Sequence, residues 1–189
     1  MISTTWPRNL GPIQRDRSSS LDPVSLFSPS TFYVRFDAST FWAVETRTLA
    51  EFRDEPLVAT RRGDDGILSV TAVGSVARQA ARDPDVSIAN PFAHERLVIH
   101  EFELAEALLR YAMAAAIGKA RMVRPYVVVH PLRQLSSELS DIERGALLEF
   151  AYAAGARRAL VHVGAQLSPE EANRRVRAQK SPRQKTRRK

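Results

Sequence analysis

Asp37, Ser39 and Thr40 lie within four consecutive positions and have side chains that could bind a phosphate group or a hydrated cation. They follow the strand-like run 32–36 and precede a second such run that begins at Phe41. A carboxylate at the end of a strand, beside two hydroxyl groups, can hold hydrated Mg²⁺, and the N–H groups of such a turn can face a phosphate. The same sequence also suits a polar hairpin turn whose side chains satisfy local N–H groups.

Phe41 and Trp42 come directly after this turn and are candidates for binding of another kind. Large apolar side chains in a hairpin usually pack into a core. If the hairpin is exposed, however, they form an apolar patch that a partner or a membrane could cover. The residues alone leave both possibilities open.

Glu143 is a further acidic candidate, and its local sequence suggests a structural role. Ser140-Asp-Ile-Glu143 has the S-x-x-E spacing of a capping box, in which the glutamate bonds back to the Ser140 N–H at the start of a helix. The helix is expected to end at Gly155. Its predicted buried face consists of Ile142, Ala146, Leu147, Phe150, Ala151 and Ala154.

Positive charge is concentrated at the end of the chain. Nine of the 28 Lys and Arg residues lie there without any acid: Arg174, Arg175, Arg177, Lys180, Arg183, Lys185, Arg187, Arg188 and Lys189. The rest of the chain carries a net charge of about −2. We expect a flexible polycation that binds nucleic acid, acidic lipid or acidic protein through charge, or that only keeps the chain soluble.

Composition excludes several classes of protein. The 189 residues include no cysteine, so disulfides and thiolate metal ligands are absent, and the four histidines lack zinc-ligand spacing. No apolar run approaches the ~20 residues of a membrane-spanning helix. The first residues lack the basic start and apolar segment of a secretory signal. We therefore expect a cytoplasmic protein that is not a zinc enzyme.

The chain divides into three predicted parts. Residues 1–29 contain four prolines and a serine run, which predicts a disordered leader, and residues 169–189 form the predicted basic, disordered tail. Between them, residues 30–168 have the periodicity of a folded domain. β-Branched and aromatic residues recur in the runs 32–37, 41–46, 49–53, 56–60 and 67–73.

Helical patterns follow these strand-like runs. Ser75 is a predicted N-cap for a short helix over 76–82, and a longer helix over 101–117 has one apolar stripe. The apolar run 126–130 predicts a buried strand, and the run 159–163 predicts a last one beyond the capped helix. This order predicts an α/β domain with a mixed β-sheet and flanking helices.

Together these segments resemble the first lobe of MreB, the rod shape-determining bacterial relative of actin. The resemblance extends in order over about residues 30–165. Its matching segments are Asp37-Ala-Ser-Thr40, Asp54-Glu-Pro-Leu-Val-Ala59, 70–80, 98–102, 123–129 and 142–157. The resemblance implies a single actin-like, ribonuclease H-like lobe.

The departures from the family pattern concern the nucleotide site. In the family's first loop a glycine stands at the position of Ser39 and an asparagine at the position of Trp42. The side chain of Ser39 restricts φ at a place where backbone should approach phosphate. The family's second loop, Asp-x-Gly-Gly-Gly-Thr, has no counterpart in this sequence. The resemblance therefore implies a truncated, degenerate relative.

From the resemblance we expect a non-enzymatic cell-shape or cytoskeletal accessory protein. Asp37, Ser39 and Thr40 would be a vestigial phosphate loop, and Glu143 takes the place of the family's glutamate that helps activate water. Expected partners are MreB-type filaments or rod-complex proteins, with peripheral contact to the inner membrane face through Phe41, Trp42 and the basic tail. The alternatives are an ATP- and Mg²⁺-binding half-site completed by a partner, and a protein that binds nucleic acid through the tail.

Overall fold

The structure is a computed structural model that describes residues 2–3, 28–117, 123–132 and 139–179, with residues 2–3 as backbone only. The strands within these residues are β1 (Ile2–Ser3), β2 (Thr31–Phe36), β3 (Phe41–Glu45), β4 (Glu51–Asp54), β5 (Val58–Arg62), β6 (Leu68–Val73), β7 (Val86–Ala89), β8 (Tyr126–Pro131) and β9 (Arg158–Val161). The helices are α1 (Ala77–Ala80), α2 (Phe102–Ile117), α3 (Asp141–Ala153) and α4 (Pro169–Ala178), and a 3₁₀ turn, Gly74–Val76, precedes α1.

The larger sheet has five strands in the order β4-β3-β2-β8-β9. Strands β2, β3 and β4 form an antiparallel meander, whereas β8 and β9 are parallel to β2 and to each other. Strands β2, β4, β8 and β9 therefore all end at one edge of the sheet, called here the carboxyl edge. The α/β class with a mixed sheet and flanking helices is confirmed.

One face of this sheet forms the main core. Alternate residues of β2, namely Phe32, Val34 and Phe36, lie in one buried cluster with residues of α2 and α3. The predicted stripe of α2 is confirmed, since Leu104, Ala105, Leu108, Leu109 and Ala112 are all buried. On α3 the prediction is wrong at two positions, because Ile142 and Ala146 are exposed. The buried face of α3 therefore begins at Leu147.

The opposite face is partly covered by α4. Ala172 and Val176 of this helix are wholly buried against Tyr33, Val44 and Val128. The sequence predicted a disordered tail from residue 169, whereas residues Pro169–Ala178 form this packed helix. The Ser168 side chain accepts a hydrogen bond from the Glu171 N–H, with a proline at the first helical position.

A smaller sheet, in the order β1-β6-β5-β7, lies beside the first. Asp54, at the end of β4, joins the two sheets, because its carboxylate accepts hydrogen bonds from the N–H and hydroxyl of Ser75. Gly74 has a φ of 78° and a Cβ at this position would overlap that carboxylate. Ser75 is therefore bound to Asp54 and does not cap α1 as predicted.

Two short strands were missing from the sequence prediction. Strand β7 pairs antiparallel with β5, and β1 pairs in parallel with β6 although residues 1–29 were predicted to be a disordered leader. Both have four residues or fewer, which is too short for an alternating pattern to stand out. The rest of the predicted leader, residues 4–27, and the tail residues 180–189 lie outside the described residues.

Candidate functional site

The turn of residues 37–40 connects β2 to β3 at the carboxyl edge. Its polar groups bond to one another. Asp37 Oδ1 accepts hydrogen bonds from the Ser39 N–H at 2.7 Å, the Ser39 hydroxyl at 2.7 Å and the Thr40 N–H at 2.8 Å. The Asp37 N–H donates to the Thr40 carbonyl at 3.0 Å. The amide of Asn90 also donates to the Ala38 carbonyl, at 2.8 Å. The turn is thus fixed both internally and by Asn90, the residue that follows β7.

These bonds are the ones expected of a polar hairpin turn. The N–H groups of Ser39 and Thr40, which would have to face a phosphate, both donate to the Asp37 carboxylate. Burial alone would raise the pKa of the Asp37 carboxyl, but the bonds from Ser39 and Thr40 lower it below its usual value. Ser39 does not require the positive φ that a glycine would allow. The structure therefore favours the polar hairpin turn.

Glu143 is likewise occupied by local bonds. Its Oε2 accepts from the Ser140 N–H at 2.9 Å and from the Ser140 hydroxyl at 2.8 Å, while the Glu143 N–H donates back to that hydroxyl at 3.2 Å. This is the predicted capping box. Helix α3 begins at the carboxyl edge, so Glu143 lies at the same edge as Asp37, but its carboxylate is bound at the helix end.

Phe41 and Trp42 do not form the exposed patch considered from the sequence. Phe41 is 0% exposed and packs in the main core, because it lies on the face of β3 that α2 covers. Trp42 points to the opposite face and is half-buried. Its indole N–H donates to Glu51 Oε2 at 2.6 Å, and its ring meets the ring of Tyr33 edge-on at a centroid distance of 5.9 Å.

A cleft of about 360 Å³ opens beside this tryptophan at the carboxyl edge, and four of its seven lining residues are not among the candidates predicted from the sequence. Its lining consists of Arg35, Asp37, Thr40, Trp42, Arg53, Leu132 and Gln166. Arg35 is a charged residue in the otherwise apolar strand β2. Arg53 is a charged residue in β4, where polar and apolar residues alternate. That signal was available in the sequence, since Arg35 lies on the β2 face opposite Phe32, Val34 and Phe36.

A buried polar network lies next to the cleft. The Tyr33 hydroxyl accepts the Leu167 N–H at 3.1 Å and lies 2.6 Å from His130 Nδ1, while His130 Nε2 lies 3.1 Å from the Gly164 carbonyl. Because that carbonyl can only accept, Nε2 carries the hydrogen and Nδ1 accepts from Tyr33. This arrangement requires a neutral imidazole. Burial, together with the neighbouring His162, lowers the pKa of His130 to about 4.

The described part of the basic tail belongs to α4 and is engaged locally. Arg174 and Arg175 both pair with Glu171, and Arg177 donates to the side chain of Asn173 and to the Pro29 carbonyl. Three of the nine predicted tail cations are thus on a helix and not on a flexible segment. Lys180, Arg183, Lys185, Arg187, Arg188 and Lys189 lie outside the described residues.

No three His, Asp or Glu side chains come together among the described residues as a metal site requires. Asp37 Oδ1, in the turn considered for a hydrated cation, already accepts three hydrogen bonds within that turn. No helix in the described ranges is long and apolar enough to cross a membrane.

Solved structures with a similar fold are filament proteins related to actin. MreB5 of Spiroplasma citri bound to ADP matches with a TM-score of 0.55 and 17% identity, over 72% of this chain and 38% of that one. A MamK double helical filament matches with a TM-score of 0.55 and 18% identity, over 72% and 41%. No protein-family model matches the chain, and the comparison with curated proteins gives no match.

These likenesses show the fold and nothing finer. The chain has the fold of an actin-like lobe, as the resemblance implied, and it spans about two fifths of the length of these neighbours. Identity below 20% does not carry a particular MreB assignment over to this chain.

Proposed function

We propose that the chain is an actin-like scaffold of the cytoskeletal type, which binds a filament-forming protein and does not hydrolyse ATP. The fold supports the first part, because neighbours with the same lobe include a protein solved as a double helical filament. The closed turn at Asp37 supports the second and is the observation that carries the proposal. The Ser39 and Thr40 N–H groups already bind the Asp37 carboxylate, so the turn does not offer these donors to a phosphate.

Glu143 supports the same conclusion. A general base must be able to reach the proton that it removes. The Glu143 carboxylate is held by the N–H and hydroxyl of Ser140, and releasing it would leave the first turn of α3 without its cap. Loss of such a cap typically costs about 1 kcal/mol. We therefore assign Glu143 to helix stability.

Within this proposal the partner is an MreB-type filament or a protein of the rod-shape system, and the role is in cell shape. The cations beyond α4, at positions 180–189, would add a contact to an acidic surface such as the inner membrane face, at about 1 kcal/mol per charge. Nucleic acid is the competing acidic surface. Deleting residues 180–189 and measuring binding to anionic vesicles and to duplex DNA over a range of salt concentrations separates the two.

Co-sedimentation with filaments of a full-length actin-like protein from the same organism tests the docking. We expect the chain to pellet in proportion to polymerised protein and to stay in the supernatant with the unpolymerised form. Absence from the pellet under polymerising conditions rejects the proposal. Pelleting of the chain alone would also reject docking, because self-assembly would then explain the result.

A thermal-shift titration with Mg-ATP tests the nucleotide part separately. Ligand that binds only the folded state raises the free energy of unfolding by RT ln(1 + [L]/Kd), so a real site must raise Tm. We expect no shift at millimolar Mg-ATP. A saturable shift that disappears in Asp37→Ala would instead establish the ATP half-site. Adding the filament protein to the same titration checks whether a partner completes such a site.

A further inference from the structure

Three neighbouring strands place two arginines on either side of a tryptophan. Arg35 of β2 pairs directly with Trp42 of β3, and Trp42 pairs directly with Arg53 of β4. Residues opposite each other on adjacent strands project from the same face of a sheet. Arg35, Trp42 and Arg53 therefore form a row across the sheet, called here the arginine row, and all three line the cleft at the carboxyl edge.

Within the arginine row, the guanidinium of Arg35 is held in place but its charge is not neutralised. Its central carbon lies 3.7 Å from the centre of the Trp42 ring, a cation–π contact. Its Nε atom is buried and has no hydrogen-bond partner among the described residues. Burial lowers the pKa of Arg35 and the nearby charge of Arg53 lowers it further, although Tyr33 and Glu51 act in the opposite direction. A buried N–H donor without an acceptor is costly unless a ligand supplies one.

Neither arginine forms an ion pair with a carboxylate in the described part of the chain. Glu51, on the same face of the sheet, accepts the hydrogen bond of the Trp42 indole and does not line the cleft. The cleft lining therefore carries two positive charges and the single negative charge of Asp37. One carboxylate would neutralise the remaining charge. A nucleotide polyphosphate, with several negative charges, would leave a large excess near Asp37.

The surroundings of the cleft indicate a macromolecular ligand. Leu132, which lines the cleft, is 38% exposed, and Val163, which follows β9, is 46% exposed. Ile142, in the first turn of α3, is 85% exposed. All three lie at the carboxyl edge by the topology of β8, α3 and β9. Exposed apolar residues at the same sheet edge as a charged cleft are typical of a surface that a protein partner covers.

We propose that the carboxyl edge docks an acidic segment of a partner protein, with one carboxylate bound between Arg35 and Arg53 and apolar side chains against Leu132, Ile142 and Val163. This inference rests on the proposed scaffold function and names the surface and the partner chemistry. The stacked guanidinium of Arg35 is already oriented, so a carboxylate can bind it without further ordering of that side chain. Arg53, which is exposed, contributes the second cation.

Trp42 provides a direct readout of this binding. The chain has two tryptophans, so Trp6→Phe leaves Trp42 as the only indole reporter. The probe is a blocked peptide with one glutamate between leucines, compared with the same peptide carrying glutamine. We expect saturable quenching of Trp42 by the glutamate peptide and about tenfold weaker binding of the glutamine peptide. Equal binding of the two peptides, or no binding of either at millimolar concentration, overturns the proposal.

Matched arginine variants locate the binding. Arg53→Gln should weaken the glutamate peptide about tenfold, whereas Arg82→Gln, the same change at an exposed arginine next to α1, should have no effect. Inorganic phosphate and Mg-ATP serve as competing anions. If either binds more tightly than the peptide and depends on Arg53, the cleft is a phosphate site and the carboxylate assignment is wrong.

Co-sedimentation separates this inference from the scaffold function itself. Arg53→Glu should remove the chain from the filament pellet, and Arg82→Glu should leave it there. If neither variant changes pelleting, docking on filaments stands and the arginine row is not its site. If unmodified chain never pellets but the glutamate peptide binds with the expected dependence on Arg53, the cleft assignment stands and its partner is not a filament.

Discussion

The two ends of the sheet face that carries α4 differ although they are built from the same strands. At the covered end, Tyr33, Val44 and Val128 lie in a buried cluster with α4. Two residues further toward the carboxyl edge, on the same strands and the same face, the corresponding positions are Arg35, Trp42 and His130. Arg35 and Trp42 line a cleft, whereas His130 is buried and lies 3.1 Å from the Gly164 carbonyl.

The difference shows how one face can serve stability at one end and binding at the other. Alternation along a strand fixes which face a side chain occupies, but it does not say whether that face will be covered. At the covered end, burial of apolar side chains stabilises the fold, at about 25 cal/mol per Å². At the open end, cations and an indole stay accessible to a ligand. Mutations at the covered end should therefore change the free energy of unfolding, and mutations of the cleft residues at the open end should change ligand binding.

The largest expected effect comes from breaking the covered end. Val176 of α4 is wholly buried, so Val176→Asp places a charge among apolar side chains without a partner. We expect a loss of about 3 kcal/mol in the free energy of unfolding, measured by urea denaturation. Ala178→Asp adds the same charge to the same helix at an exposed position and should cost less than about 1 kcal/mol. Similar losses in both would show that α4 is not packed on the sheet.

The next effect concerns Tyr33, whose hydroxyl lies where the two ends meet. Tyr33→Phe keeps the ring but leaves the Leu167 N–H and His130 Nδ1 without their shared partner. Unsatisfied buried polar groups of this kind cost about 1–3 kcal/mol, which urea denaturation can resolve. Tyr152→Phe, a half-buried tyrosine of α3, is the matched control and should change stability by less than about 0.5 kcal/mol. Equal effects would argue against the network.

The same network predicts a pH dependence. The unfolded chain binds a proton at His130 below about pH 6.5, whereas the folded chain does so only below about pH 4. The neutral form is therefore favoured in the fold, and stability is lost as the pH falls from 6.5 toward 4. His130→Gln removes the titrating group and should flatten this part of the stability profile. An unchanged profile in that variant would show that the loss arises elsewhere.

Most of the fold was predictable because its patterns are long or chemically distinct. The apolar stripe of the 16-residue helix α2 and the capping box of α3 were both predicted correctly. Helix α4 was missed although Ser168, Pro169 and Glu171 are a clear helix start, because the arginines after them suggested a disordered tail. Those arginines lie on the outer side of a helix whose buried side needs only Ala172 and Val176.

The residue types of the candidate site were predictable from the sequence, but the hydrogen bonds that they form were not. The sequence placed a carboxylate and two hydroxyl groups in one turn, and the structure confirms that they meet. Whether the N–H groups face outward or bind Asp37 depends on turn geometry, which residue types do not fix. Arg35 and Arg53 are 18 positions apart, and only strand register brings them to one cleft. That juxtaposition was beyond the reach of local patterns.

Asp37→Ala tests how much the turn of residues 37–40, which lies beside the open end, contributes to stability. It removes the acceptor of three turn hydrogen bonds, and we expect a loss of about 1–2 kcal/mol at neutral pH by urea denaturation. Because these bonds lower the pKa of Asp37, its contribution should persist above the unfolded pKa near 3.8 and disappear as the pH falls through the lower folded pKa. Binding of the glutamate peptide at the arginine row should persist or tighten, because Asp37 carries the single negative charge of the cleft lining. A variant as stable as the unmodified chain would mean that the turn is not held by Asp37.

The smallest expected effect on stability separates the two ends most directly. Arg53→Gln at the open end should change the free energy of unfolding by less than about 0.5 kcal/mol, because Arg53 is exposed and has no ion pair among the described residues. Arg158→Gln makes the same substitution at the covered end, where Nη1 donates to the carbonyls of Val176 and Arg177 at the end of α4. That variant should lose about 1 kcal/mol while binding the glutamate peptide normally. If Arg53→Gln proves the more destabilising of the two, Arg53 has a structural role and is not available to bind a ligand at the open end.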